Sequence, residues 1–300
     1  MEAFLSIKET IEKYIEGCQV KVKMSSNCLF GKAILAGAMI AMGTAASNVA
    51  AHTISDVGLG RLVAAVVFPV GLMMVMLLGA ELFTGDCLIA MSVLDGKQKV
   101  HNVARILMLV FWGNLVGATL LALLISLSGQ LNYSGGLLGA YTIKVAMGKV
   151  NISIVEGIAS GTLCNILVCA AVLMAMSAKD ITSKLFSIFF TIMLFVTAGF
   201  EHCVANMYYI TAGIIAKHNV DYVALAIDTY GYTTTQLEEL NFFNYVVVNL
   251  VPVTIGNIIG GIVFFGVPMF FLNAKKENKK ILKEEKKDVL CTTVFADTTR

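Results

Sequence analysis

The octet Gly79-Ala80-Glu81-Leu82-Phe83-Thr84-Gly85-Asp86 interrupts an apolar run over residues 62–94, and Gly199-Phe200-Glu201-His202-Cys203-Val204-Ala205-Asn206 interrupts a second over 185–216. Both runs are otherwise apolar enough to cross a bilayer, which takes about 20 residues of helix. Unwound backbone at that depth leaves N–H and C=O groups unpaired. It persists only where protein or a water-lined cavity surrounds it. Ionisable groups inside spans are rare and usually functional. Two such breaks in corresponding positions point to a pore or binding site near the membrane midplane.

The rest of the chain supports a membrane reading. Of 300 residues, 57% are hydrophobic and 14% charged, and mean hydropathy is +0.80. Nine charged residues fall in the first 32 positions and thirteen in the last 28, leaving twenty for the 240 between. So little polar surface excludes a soluble enzyme, a secreted disulfide scaffold and a nucleic-acid-binding protein. The seven cysteines form no CxxC pair and most lie in apolar stretches, where a thiol acts as a small hydrophobe. No disulfide framework, metal site or cofactor is expected. The segment SIKETIEKYIEG (6–17) has no continuous apolar core, so it does not read as a cleaved signal peptide.

Six stretches qualify as spans: 33–53, 62–94, 106–127, 155–177, 185–216 and 242–272. An even number puts both ends on one side. The N-terminus, the 95–105 loop, the 178–184 loop and the C-terminus hold 18 Lys and Arg, against Arg61, Lys144, Lys149 and Lys217 on the opposite face. Positive loops stay inside, so both termini are expected in the cytoplasm of a cell (inner or plasma) membrane protein. The run KKENKKILKEEKK (275–287) reads as a solvated helix extension.

The two halves resemble each other. Gly113-Asn114-Leu115-Val116-Gly117 in the third span matches Gly256-Asn257-Ile258-Ile259-Gly260 in the sixth, and a broken span with a glutamate precedes each. The offsets are 143 for these motifs and 120 for Glu81 and Glu201, so the polar 217–240 loop carries an insertion. Three spans per copy invert the second copy. The expected fold is therefore an all-α membrane protein with six transmembrane helices, helices 2 and 5 broken, built from inverted repeats. The organisation read from this is a cytoplasmic N-terminal helix over 1–30, a channel domain over 31–273 with repeats at about 31–130 and 150–273, and a charged cytoplasmic tail over 274–300.

Within the breaks, Glu81 and Glu201 suit accepting hydrogen bonds from exposed loop amides, and Asp86 suits capping the second half-helix. His202 lies opposite Thr84 by the repeat argument, and it is the group whose charge can change near neutral pH. The segments MLLGAELFTG (76–85), AGFEHCVANM (198–207) and NLVPVTIGNIIGG (249–261) resemble the signature segments of the formate/nitrite transporter family, and the likeness runs in register over about residues 5–273. The resemblance implies an aquaporin-like fold and a homopentamer with one pore per protomer. It implies an apolar constriction from Phe68, Leu72, Phe83, Phe195 and Val168, and a pathway through His202 and Thr84. Lys149 matches the lysine near the outer vestibule and Asn165 the asparagine beside it, while Glu201 and Asn206 belong to the central histidine segment. The N-terminal helix is a pH-sensitive cover in this reading, or an amphipathic helix at the membrane surface.

The function implied is a channel for small monovalent weak-acid anions such as formate, nitrite or hydrosulfide. An apolar ring excludes bare charge far more strongly than a neutral polar molecule. Lys149 would concentrate anions at the mouth; His202 would protonate the anion so that neutral acid passes, or the anion passes charged, stabilised by His202 and Lys149, and the sequence leaves both open. The alternative is a water- or glycerol-type channel, although Pro69, Pro252 and Pro268 stand in no Asn-Pro-Ala setting. An intramembrane protease is disfavoured. Gly157-Ile158-Ala159-Ser160-Gly161 lacks the glycine two residues before the serine, and no HExxH pair is present. No catalytic residue is expected.

Overall fold

The computed structural model describes residues 4–273, so the charged tail expected over 274–300 lies outside the described residues. The first helix, α1 (Ile7–Lys23), starts at a Ser6–Glu9 capping box. Its buried face is Ile11, Tyr14, Ile15 and Cys18, the i, i+3, i+4, i+7 spacing of an amphipathic helix. That face docks into the bundle instead of lying on a membrane surface.

Among the described residues, six helical segments are long and apolar enough to cross a membrane. In chain order the elements are α2 (Ser26–Ala51), α3 (Val57–Leu78), the short α4 (Phe83–Leu94) and α5 (Val100–Leu127). They continue with α6 (Leu137–Val150), α7 (Ile154–Ser177) and α8 (Ile181–Ala198). The described residues end with α9 (Cys203–Lys217), α10 (Val220–Tyr230), α11 (Thr234–Glu238) and α12 (Phe242–Asn273). No strand occurs among the described residues; Phe4 makes one isolated bridge to Ala178. The expected six-span all-α fold, with the second and fifth spans broken, is the observed one.

The two breaks follow glycines in the left-handed conformation, Gly79 at φ +68° and Gly199 at φ +76°, which cap α3 and α8. After each break a half-helix begins inside the bundle, α4 after the first and α9 after the second. The insertion over 217–240 is largely helical, forming α10 and α11.

Close helix contacts set the frame. A Cβ on Gly117 would stand 2.0 Å from the Ile34 carbonyl oxygen, and one on Gly260 2.1 Å from that of Thr162. Ile34 and Thr162 differ by 128 positions, and Gly117 and Gly260 by 143, so the same helix pair is built twice. Ser25 and Ser153, also 128 apart, each cap the first span of a half. The 128 offset further matches Lys21 of α1 to Lys149 of α6. The correspondence therefore extends one helix upstream of the spans in each half. α12 contains two wide π-helical stretches, Tyr245–Leu250 and Ile259–Gly266; the first turns Asn249 inward, where it donates to the Lys149 carbonyl at 2.9 Å.

Candidate functional site

Two cavities approach each other through the bundle. One, on the α6 face, has a volume of about 500 Å³ and is floored by Phe68, Phe195 and His202. The other, on the α1 face, is about 260 Å³ and is closed by Leu72, Leu82 and Gly85. Between them the Phe68 and Phe195 rings meet edge to face at 5.6 Å, and Phe195 stacks on His202 at 5.9 Å. Leu72, which lines the α1-face cavity, and Val168 are buried at 2% and 1% exposure.

His202 and Thr84 are brought together at the centre, with Nε2 2.9 Å from Thr84 Oγ1. His202 is also the N-cap of α9, where its Nδ1 accepts the Ala205 N–H at 3.1 Å. A nitrogen that accepts a backbone N–H carries no proton, so the neutral ring holds its hydrogen on Nε2 and donates it to Thr84. In the repeat register the partner of His202 is Leu82, 120 positions earlier, and not Thr84. The two residues face each other because the N-termini of α4 and α9 converge, which corrects the expectation that the repeat itself opposes them.

The breaks are held by asparagines. Asn114 Oδ1 accepts the Phe83 N–H at 2.9 Å while its Nδ2 donates to the carbonyls of Ala33 and Glu81 at 2.8 and 3.0 Å. Asn257 accepts the Cys203 N–H at 2.9 Å and donates to Gly161 and Glu201 carbonyls at 2.7 and 3.0 Å. This corrects the assignment of amide-pinning to the glutamates. A loop exposes both N–H and C=O groups, and a neutral amide can serve both, whereas a carboxylate only accepts. A further break amide, the Glu201 N–H, donates to Ser160 Oγ at 3.0 Å.

The glutamates instead pair with lysines, one at each mouth. Lys149 Nζ lies 2.6 Å from Glu201 Oε1, and Asn206 Nδ2 donates to Glu201 Oε2 at 2.6 Å. On the opposite face Lys21 Nζ contacts both Glu81 and Asp86 at 2.5 Å. Burial works against the Lys21 ammonium, but Asp86 and Glu81 outweigh it and hold its pKa above the ordinary lysine value. Contrary to the expectation from sequence, Asp86 does not cap α4. It is the fourth residue of that helix, past the cap position, and its side chain runs to α1. Sequence reasoning misses Lys21 because it sits in a charged amphipathic helix where any lysine looks solvated; the 128 offset to Lys149 is the signal that finds it.

Two further residues stand elsewhere than expected. Phe83 packs edge-on against Phe111 of α5 at 5.2 Å and lines neither cavity, because the first turn of α4 directs it away; Leu82, still in the break, takes the luminal place. Asn165 is not beside Lys149. It is fully buried at the core, donating to the carbonyls of Thr84 at 3.2 Å and Asn257 at 2.7 Å. Lys149 has Asn249 and Tyr209 as neighbours instead. Among the described residues no cluster of three or more potential metal ligands occurs.

Six apolar spans, paired half-helices meeting at a buried polar centre and a charged vestibule at either side define a membrane transport protein of the broken-helix type. The chain belongs to the formate/nitrite transporter family, whose model matches residues 8–271. It is 38% identical to the "Formate channel FocA" of Haemophilus influenzae over 213 residues, 70% of this chain and 73% of that one. It is 34% identical to the "Formate channel FocA" of Escherichia coli K12 over 222 residues, 74% of this chain and 77% of the relative. A solved "Pentameric formate channel with formate bound" superposes with a TM-score of 0.73 at 33% identity, covering 82% of this chain and 96% of that one. The relatives are named as channels and transporters, and the chain is not an enzyme.

Proposed function

We propose that this protein is a homopentameric channel in the plasma membrane, both termini cytoplasmic, that conducts small monovalent weak-acid anions such as formate, nitrite or hydrosulfide. The α1 face is then the cytoplasmic one. The observation that carries this reading is the Thr84–His202 pair, buried between two lysine-bearing vestibules and behind the Phe68–Phe195 contact. An anion gathers at the outer mouth, where Arg61 and Lys144 line the vestibule beside the Lys149–Glu201 pair. Its charge cannot follow it past the apolar ring, since burying an unpaired ion costs far more than burying a neutral hydrogen-bonding molecule. The species that crosses is the protonated acid.

The neutral Nε2–H of His202 supplies that molecule with a hydrogen-bond donor and the Thr84 hydroxyl with a partner, replacing water along the dry stretch. The capped Nδ1 argues against His202 as the proton source, because taking up a second proton would break the bond that starts α9. The N-termini of α4 and α9, both aimed at the centre, favour the electron-rich end of the permeant. The name of the solved relative supports formate as a permeant and five protomers as the assembly.

The test is flux in proteoliposomes with formate, nitrite and hydrosulfide in competition at two pH values. Expected is transport of weak acids that rises as pH falls toward their pKa values. Water or glycerol flux indifferent to pH, without weak-acid transport, would establish the neutral-solute reading instead.

A further inference from the structure

The two mouths are built to one plan with one chemical difference. In the repeat registers of 128 and 120, Lys149–Glu201–Asn206 on the α6 face corresponds to Lys21–Glu81–Asp86 on the α1 face, with Asn206 replaced by Asp86. Asn206 donates an N–H to Glu201 Oε2 at 2.6 Å. Asp86 and Glu81 contact the same Lys21 Nζ, each at 2.5 Å, and a carboxyl group in such a pair can donate a hydrogen bond only when it carries a proton. Its Oδ2 is buried with no hydrogen-bond partner among the described residues, its side chain is 5% exposed, and it lines the α1-face cavity.

The contacts favour the same proton. Lys21 Nζ touches both carboxyl groups. Lys32 also lines the cavity and keeps its charge, and its ammonium bonds the Gly79 carbonyl at 3.0 Å. The remaining groups facing Asp86 bring no positive charge: Tyr14 and Cys18 from α1, Cys87 from α4 and Cys169 from α7. Two carboxyl groups bridged by one ammonium at a buried site can take up and release a shared proton.

We propose that Glu81 and Asp86 form a proton-binding pair at the α1 mouth, which receives the proton when a weak acid re-ionises on leaving the pore and supplies it to an anion entering from that side. On exit, the H–A bond breaks, its electrons stay with A⁻, and the proton joins a lone pair of the dicarboxylate form of Asp86. A⁻ leaves to water, and the singly protonated pair then yields its proton to water on the same side. On entry the steps reverse. The α6 mouth, with an amide in the same place, has no such group. This rests on the weak-acid reading of the pore above.

Two measurements on the full-length protein test it. Infrared difference spectra of purified wild-type protein should contain a carboxylic C=O band that titrates with pH, shifts in D₂O, and disappears in Asp86→Asn and in Glu81→Gln. In right-side-out and inverted membrane vesicles, the α1-side pH profile of formate flux should lose the titration contributed by the pair in Asp86→Asn and take the form of the α6-side profile, which stays unchanged. Asn206→Asp should install a second titration on the α6 side. A folded wild-type protein without the band, or an unaltered α1-side profile in Asp86→Asn, overturns the proposal. A wild-type protein that moves no weak acid overturns the pore reading and the transport role together, while the infrared band separately decides whether the pair exists.

Discussion

Asn114 and Asn257, 143 positions apart, make the same set of bonds: each accepts the first backbone N–H of a half-helix and donates to the carbonyl of the glutamate in the break before it. Both side chains are fully buried. The half-helix N-termini that frame the pore centre are therefore held by two neutral amides, and the charged residues are left free to face the vestibules.

Replacing either asparagine by alanine strands two buried break groups, the half-helix N–H and the glutamate carbonyl, at about 1–3 kcal/mol for each. Asn114→Asp and Asn257→Asp should be no better than alanine, since they keep the acceptor but lose both donations and add charge. Thermal unfolding in detergent checks this; an aspartate variant as stable as wild type would show the breaks are held by something else.

The Lys149–Glu201 pair is 19% and 8% exposed at its side chains. Lys149→Gln leaves a buried carboxylate without its cation, a loss of about 3–5 kcal/mol for such pairs. Lys149→Gln with Glu201→Gln should recover most of it. A double variant no more stable than Lys149→Gln alone would mean that the glutamate charge is not what the lysine compensates.

His202→Asn and His202→Ala separate capping from pore chemistry. Asparagine is a good N-cap and alanine a poor one, so the alanine variant should be less stable by about 1 kcal/mol. Both should reduce formate flux, because neither presents the imidazole Nε2–H to Thr84. If His202 acts as a neutral donor, the residual flux keeps the pH profile of the wild type; a flattened profile would restore the proton-relay role.

Gly117→Ala and Gly260→Ala each push a methyl group into a backbone carbonyl of the facing helix. Neither helix can yield without widening the frame around a break. Overpacking of this kind costs about 1–3 kcal/mol, and both variants should unfold at lower temperature. Gly148→Ala is the control, because open space surrounds the place its methyl group would take.

The Glu9 carboxyl is held below its ordinary value by the Ser6 hydroxyl and backbone N–H, at 2.7 and 2.8 Å. A depressed carboxylate stabilises the fold above its unfolded value, and that contribution is lost as pH falls through the folded value. Amide exchange at the start of α1 should therefore accelerate at acid pH. Glu9→Gln keeps the capping box and should abolish the pH dependence.

Much of this arrangement is written in local sequence. A helix interrupted by glycine and an acid inside an apolar run has one tolerable setting in a bilayer, so residues 79–86 and 199–206 declare the pore before any fold is known. The Gly-Asn-x-x-Gly motifs likewise declare a close helix contact, though not that the asparagine reaches the break. Local pattern misleads where a side chain's partner is remote in sequence. Asp86 has the look of a cap, but its partner is Lys21, 65 residues away; Phe83 looks luminal, but the first turn of α4 sends it to Phe111.

Six spans, two breaks and the placement of charge can be read from the chain alone, because hydrophobic length and unpaired backbone are properties of a segment and its solvent. Which groups meet is a matter of packing: His202 with Thr84, each lysine with its glutamate, and Asp86 where the other half carries Asn206. Those meetings depend on where two inverted halves converge, and a few ångströms in the approach of α4 to α9 decide whether two polar groups bond or pass each other by.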